Sequence, residues 1–185
     1  METWNQEGGV SMTTAIDVMK YIKSRQVITG EVQLQKLVYY SQAWSLAWDG
    51  TPLFHDRIEA WRHGPVVRSI YKRNDQADAT VLDRREQSTV DAVLAHYGSM
   101  YGAALRQMSH DEKPWADVWG DRPSDDRCSD EITHDAMRRF YTLKALDGQG
   151  PRRAPDHELA EYSEVREIAG ANVDRWRTTL AILGQ

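Results

Sequence analysis

The chain holds a single cysteine, Cys128, so an internal disulfide is excluded. No second cysteine or histidine stands at metal-ligand spacing from it, which argues against structural zinc. Long apolar runs are missing too. None approaches the roughly 18 residues that a membrane-spanning helix needs. The first residues, METWNQEGGVS, lack the basic-then-apolar order of a signal peptide, so a cytoplasmic protein is expected. Positive charge is in deficit, with 23 Lys and Arg against 28 Asp and Glu and a formal net charge of -5. A dominant phosphate-binding surface is therefore disfavoured, and with it nucleic acid as the first partner. The sequence contains no HExxH, nucleophile elbow, P-loop or GxGxxG. Its six histidines, at 55, 63, 96, 110, 134 and 157, show no recognised pairing. A non-enzymatic protein without cofactor or metal is the resulting expectation. His55-Asp56, His110-Asp111-Glu112 and Glu59 are the few places where acid/base or metal chemistry could hide, and capping or paired roles are the commoner fate of such residues.

What is present is a soluble globular composition, 41% hydrophobic and 28% charged, with seven Trp and eight Tyr against two Phe. At 185 residues it suits one domain with appendages. Residues 1–12 have no period and contain Gly8-Gly9, which reads as a flexible leader in which Met12 is an alternative start. Helical spacing begins at Ala15, Val18, Met19 and Ile22, behind a capping signal at Thr14 and Asp17. The stretch 34–48 is apolar on every face and predicts a helix in the middle of the domain.

Residues 57–62 alternate as a short strand. Gly64-Pro65 reads as its stop and as the start of a further helix, with Val66, Val67, Ile70 and Tyr71 as its apolar stripe. A second strand is expected at 79–82. The clearest period, Val90, Val93, Leu94, Tyr97, Tyr101, Ala104, Leu105 and Met108, predicts one long helix in which Gly98 and Gly102 share a face and admit a close neighbour. A Pro-led helical start follows at Pro114, and Ser129 is the expected cap of a helix through Ile132, Ala136, Phe140 and Leu143. Two Gly, two Pro and two Arg in residues 147–155 mark a linker, so the packed unit is expected over 13–146, the linker over 147–157 and a helical extension over 158–185. The fold class is mainly α: a compact multi-helix single domain around a central apolar helix, with a small two- or three-stranded β element.

Two surfaces invite a partner. Arg62, His63, Arg68, Lys72 and Arg73 cluster with Tyr71, and Arg68 and Lys72, four apart, are expected on one helix face. Near the end of the chain, Val173, Trp176, Leu180 and Leu183 form an amphipathic stripe that docks on its own domain or in a partner's groove. The partner-binding candidates are accordingly Arg68, Tyr71, Lys72, Val173, Trp176 and Leu180.

The segments Leu34-Gln35-Lys36-Leu37-Val38-Tyr39-Tyr40 and Ile58-Glu59-Ala60-Trp61-Arg62-His63-Gly64-Pro65-Val66-Val67 with Tyr71 resemble the Panacea domain family of SocA-like antitoxins. Ser109-His110-Asp111-Glu112-Lys113-Pro114-Trp115 is similar to the family's third landmark, where Thr is frequent in place of Ser109. Residues 129–141 are similar to its last helix, so the likeness covers about 13–146. The resemblance implies an antitoxin that neutralises a cognate protein toxin by direct contact. Related members act as adaptors to a protease, many occur in phages and mobile elements, and a protease or chaperone is a further implied partner. Homo-oligomers and heteromeric complexes are both open. The rival readings are a phage or mobile-element adaptor for a host protein, a DNA-binding regulator and a hydrolase with an unrecognised site. Within the signature, Leu34, Leu37, Tyr40, Trp61, Gly64, Pro65 and Trp115 are expected to set packing and turns, and Gln35, Lys36 and Glu59 to form a buried hydrogen-bond network.

Overall fold

The computed structural model describes residues 13–153, and the architecture among them is mainly α-helical with a two-stranded antiparallel sheet. Helix α1 (Ala15–Arg25) opens on a full capping box. The Thr14 hydroxyl accepts from the Asp17 amide at 3.3 Å, and the Asp17 carboxylate accepts from the Thr14 amide at 2.9 Å. Helix α2 (Glu31–Asp49) buries every residue from Gln33 to Leu46, as its all-round apolar character requires. Gly50, at φ 69°, ends it in the left-handed conformation. The helix packs against α1, the sheet and the later helices α3 (Arg84–Tyr97), α4 (Gly102–Asp111) and α6 (His134–Leu146). The core is therefore arranged around one rod.

Strand β1 (Ile58–Trp61) pairs with β2 (Gly64–Val67), placing Ile58 opposite Val67 and Trp61 opposite Gly64. The helix expected after Gly64-Pro65 is thus a strand followed by a single 3-10 turn, Arg68–Ile70. The physical reason lies in α2. Gln35 accepts from the Val67 amide at 2.8 Å and donates to the Val67 carbonyl, so a distant side chain satisfies the backbone groups that a helix would have used. Residues 79–82 form bends, so the expected strand there is not made. The other edge of β1 is covered by residues 130–132, through Ala60 N–H to Asp130 C=O and Ile132 N–H to Ile58 C=O, both 2.9 Å.

That use of residues 130–132 also moves the start of α6. Thr133, not Ser129, caps it, accepting from the Ala136 amide at 3.2 Å. The long helix expected across 90–108 is two. It begins at a capping box of Asp83 and Glu86, stops at Gly98, and restarts as α4 at Gly102. The break holds because Gln26 and Gln33 donate to the Gly98 carbonyl and Gln33 also to that of Met100. Gly102 does admit a close neighbour: a Cβ there would meet the Gln33 amide nitrogen and Val32. At Gly98 the crowding comes from the Gln26 side chain. The Pro-led start is α5 (Lys113–Trp119).

The packed structure does not end at Leu146. Pro151 is buried, Gly150 turns at φ 94° where a Cβ would run into the Trp44 ring, and Arg153 grips the Asp49 carboxylate with two 2.8 Å hydrogen bonds. The leader and the extension, with Val173, Trp176 and Leu180, lie outside the described residues.

Candidate functional site

The signature residues of α2 divide between the core and the hairpin. Leu34 and Leu37 enter the core. Gln35 pins Val67, and Lys36, one residue on, donates to the Pro65 carbonyl at 2.8 Å. Together they hold β2 against the helix. Gly64 is the point of closest approach: at φ 91° it suits the turn, and a Cβ there would lie 2.7 Å from Lys36 Nζ and 2.8 Å from Ser109 Oγ. Glu59 accepts from Trp61 Nε1 at 2.7 Å and faces the Arg68 guanidinium at 3.7 Å. Trp115 Nε1 donates to the Trp61 carbonyl at 2.9 Å, tying α5 to the hairpin.

Tyr40, one turn beyond Lys36, donates to Glu112 at 3.2 Å. In the sequence Glu112 stands out as a candidate for metal or acid/base chemistry and as part of the third landmark. The structure gives it Tyr40, Tyr141 and Lys144 as donors, the last two at 2.5 Å. It is a consumed carboxylate at the junction of α2, α5 and α6. The surrounding phenols of Tyr39, Tyr40 and Tyr141 are pushed upward in pKa, first by burial and then by neighbouring phenols and the Glu112 charge. His134 Nε2 lies 3.0 Å from Gln42 Nε2, and burial followed by the nearby His55 lowers its pKa. Asp56 caps Ala15 at 3.0 Å. Among the described residues no group of His, Cys, Asp and Glu could hold a metal, and no helix is long and apolar enough to cross a membrane.

Lys36 is different. Its ammonium is 1% exposed and lacks a carboxylate among the described residues. Burial, aided by the charge of Arg106, lowers its pKa to about 7. His110, stacked on Trp115 at 3.9 Å, is held down to about 4 by burial and then by Arg106, Lys36 and His63, against a small opposing effect of Asp111. Its Nε2 is buried without a hydrogen-bond partner among the described residues. Arg106 was not singled out in the sequence, because its significance is spatial.

The predicted basic helix face does not exist as such. Arg68 sits in the 3-10 turn beside Glu59, while Lys72 has left-handed φ (58°) and lies over the Tyr71 ring at 5.3 Å. Both cations and Tyr71 are nonetheless exposed.

Fold and signature define a mainly α-helical domain in which a β-hairpin is fastened to a buried central helix by that helix's own polar side chains. Residues 34–116 match the family model described as "Antitoxin SocA-like, Panacea domain". That span starts at the first residue of LQKLVYY and ends just past Trp115, leaving α6 outside it. No curated protein and no solved structure matches the chain. The family match supports an antitoxin-like role and a protein partner such as a toxin.

Proposed function

We propose that the chain is the antitoxin of a toxin-antitoxin system, acting in the cytoplasm without catalysis, and that it neutralises a cognate protein toxin by direct contact. The observation that carries this is the match over 34–116. It is supported by the use to which the signature's polar residues are put: Gln35, Lys36 and Glu59 each engage the protein's own backbone or side chains and leave the exterior to choose the partner. Arg68, Tyr71 and Lys72 are exposed beside the hairpin and form one candidate contact surface; Val173, Trp176 and Leu180 of the extension form the other.

The test is co-expression with the neighbouring reading frame. Growth rescue and recovery of a stable complex are expected, and a neighbour that is harmless alone, or a toxin that stays lethal beside a well-expressed partner, overturns the reading. Replacing Trp176 and Leu180 by Ala then reports on the extension: unchanged neutralisation by a folded variant removes it from the interface.

A further inference from the structure

The β1–β2 turn packs on the second half of α4, where a Cβ on Gly64 would lie 2.7 Å from Lys36 Nζ and 2.8 Å from Ser109 Oγ, and four nitrogen-bearing side chains belong to this junction. Arg62 and His63 occupy the turn and are exposed; Arg106 is exposed one helical turn before His110. Lys36 lies beneath them, close enough that its charge, with that of Arg106, holds His63 and His110 toward their neutral forms after the larger effect of burial. Arg62 Nε donates to His63 Nε2 at 2.9 Å, which leaves the His63 proton on Nδ1, free to donate outward. The Arg106 side chain makes no hydrogen bond or ion pair among the described residues. Asp111, the acid that acts on His110, is exposed and already accepts from Gln107 at 2.9 Å. Positive charge is thus concentrated around a buried ammonium whose one acceptor among the described residues is the Pro65 carbonyl. A buried charge without a counter-ion is unfavourable, and the deficit is relieved by an anion delivered from outside.

We propose that this face is the docking seat for an acidic segment of the protein partner, one of whose side-chain carboxylates is held by Arg62, His63 and Arg106 above Lys36. This rests on the antitoxin reading for the identity of the partner as a protein. A carboxylate suits the seat better than a nucleic-acid backbone. The cations are few and belong to one turn and the helix packed on it, on a chain whose net charge of -5 repels an extended polyanion. The Arg62 and Arg106 forks supply paired donors of carboxylate geometry. Docking also carries a signature. An anion over Lys36 favours its charged form, so at pH 7.5 the complex takes up a proton as it forms. The groups that share the field around Lys36 are Arg106, His63 and His110, with Arg62 acting on His63 and Asp111 opposing weakly at His110.

The experiment titrates the full-length, nitrogen-15-labelled protein with an amidated hexaglutamate peptide, with hexaglutamine and a twelve-residue thymidine oligonucleotide as the other arms. Hexaglutamate is expected to move the amide resonances of His63, Gly64, Ser109 and His110, and hexaglutamine to leave them in place. Arg106→Gln, an exposed change, is expected to weaken hexaglutamate about fivefold. Lys36→Met is expected to bind without proton uptake, read by calorimetry in buffers of different ionisation enthalpy. Undisturbed resonances, unchanged affinity in Arg106→Gln, or an oligonucleotide preferred over hexaglutamate at these resonances would each overturn the seat. The two readings fail separately: rescue from the toxin that is unaffected by Arg106→Gln removes the seat and keeps the antitoxin, while hexaglutamate binding with no toxin neutralised does the reverse.

Discussion

Two buried ionisable centres meet α2 one turn apart, Lys36 on the helix itself and Glu112 held by Tyr40, and they are built on opposite plans. Around Glu112 every need is met: two phenols and the Lys144 ammonium converge on one carboxylate, and the cluster binds α2 to α5 and α6. Around Lys36 the need is left open, with one carbonyl among the described residues for three N–H donors and further cationic groups nearby. The first arrangement is what holding a fold together looks like, because removing either sign of charge strands the other. The second costs stability at neutral pH and is explicable if something else completes it. Both lie against α2 and are similarly buried, so the contrast is chiefly one of partners.

The sharpest way to break the comparison is Glu112→Ala. It leaves Lys144 and Tyr40 facing a cavity without this acceptor and Tyr141 with the Tyr39 hydroxyl at 3.3 Å, and a loss of about 3–5 kcal/mol is expected in urea unfolding. Glu112→Gln keeps the volume and one acceptor, and a smaller loss, about 2 kcal/mol, is expected. If both variants unfold at the wild-type midpoint, the Glu112 cluster is not the fastener described above.

Gly64→Ala probes the other side. Its φ of 91° and the approach of Lys36 Nζ and Ser109 Oγ act together, and a loss of about 2–3 kcal/mol is expected. Gly120, at φ 61° with nothing within 4 Å of a Cβ, is the control. Its replacement by Ala carries the backbone cost alone, about 1 kcal/mol. Equal losses at the two sites would show that the crowding over Lys36 contributes nothing.

Much of this was legible in the sequence, and the parts that were not share a cause. The all-round apolar character of 34–48 gave its central position, the Thr14 and Asp17 spacing gave a real capping box, and Gly102 did mark a close approach. The β2 strand was hidden because Gln35, some 30 residues away in sequence, decides the conformation of Val67. Likewise the division of α3 from α4 is written in Gln26 and Gln33, and not in the apolar period that runs straight across it. For the site, the family signature showed which polar residues would be buried but not what each would meet. Glu112 became a structural acid only once Tyr141 and Lys144 arrived from α6. Arg106 matters because its side chain has no ion-pair partner among the described residues, which no linear pattern can display.

A paired centre at the surface end of α2 offers an intermediate case. Burial works to raise the Asp49 carboxyl, but hydrogen bonds from Arg153 and Arg85 outweigh it, so its pKa is lowered. A depressed carboxyl contributes stability that is complete above its unfolded pKa and is lost as pH falls through the folded value. Arg153→Ala is expected to cost about 1–2 kcal/mol. It should also raise amide exchange at Gly148 and Gly150 while leaving exchange in α2 unchanged. Acidification below pH 4 should produce the same local loosening in the wild type. Unchanged exchange at both glycines would show that residues 147–153 are held by Pro151 and Trp44 packing without the ion pair.

The smallest expected effect at neutral pH is also the most discriminating. In the folded chain Lys36 loses its proton near pH 7, whereas in the unfolded chain it keeps the proton to about pH 10. Between those values the unfolded state binds more protons, so this group makes the wild type more stable as pH rises, by at most about 1.4 kcal/mol per pH unit. Lys36→Met removes the titration and nearly preserves the volume, at the cost of an unpaired Pro65 carbonyl. At pH 7 the two proteins should differ by about 1 kcal/mol or less, because the lost hydrogen bond and the relieved ammonium oppose each other. Between pH 7 and 9 the wild type should gain on the variant, and adding hexaglutamate at pH 7.5 should stabilise the wild type more. A Lys36→Met variant that tracks the wild type across that range would mean that the buried ammonium is already balanced within the protein, and the contrast with Glu112 would disappear.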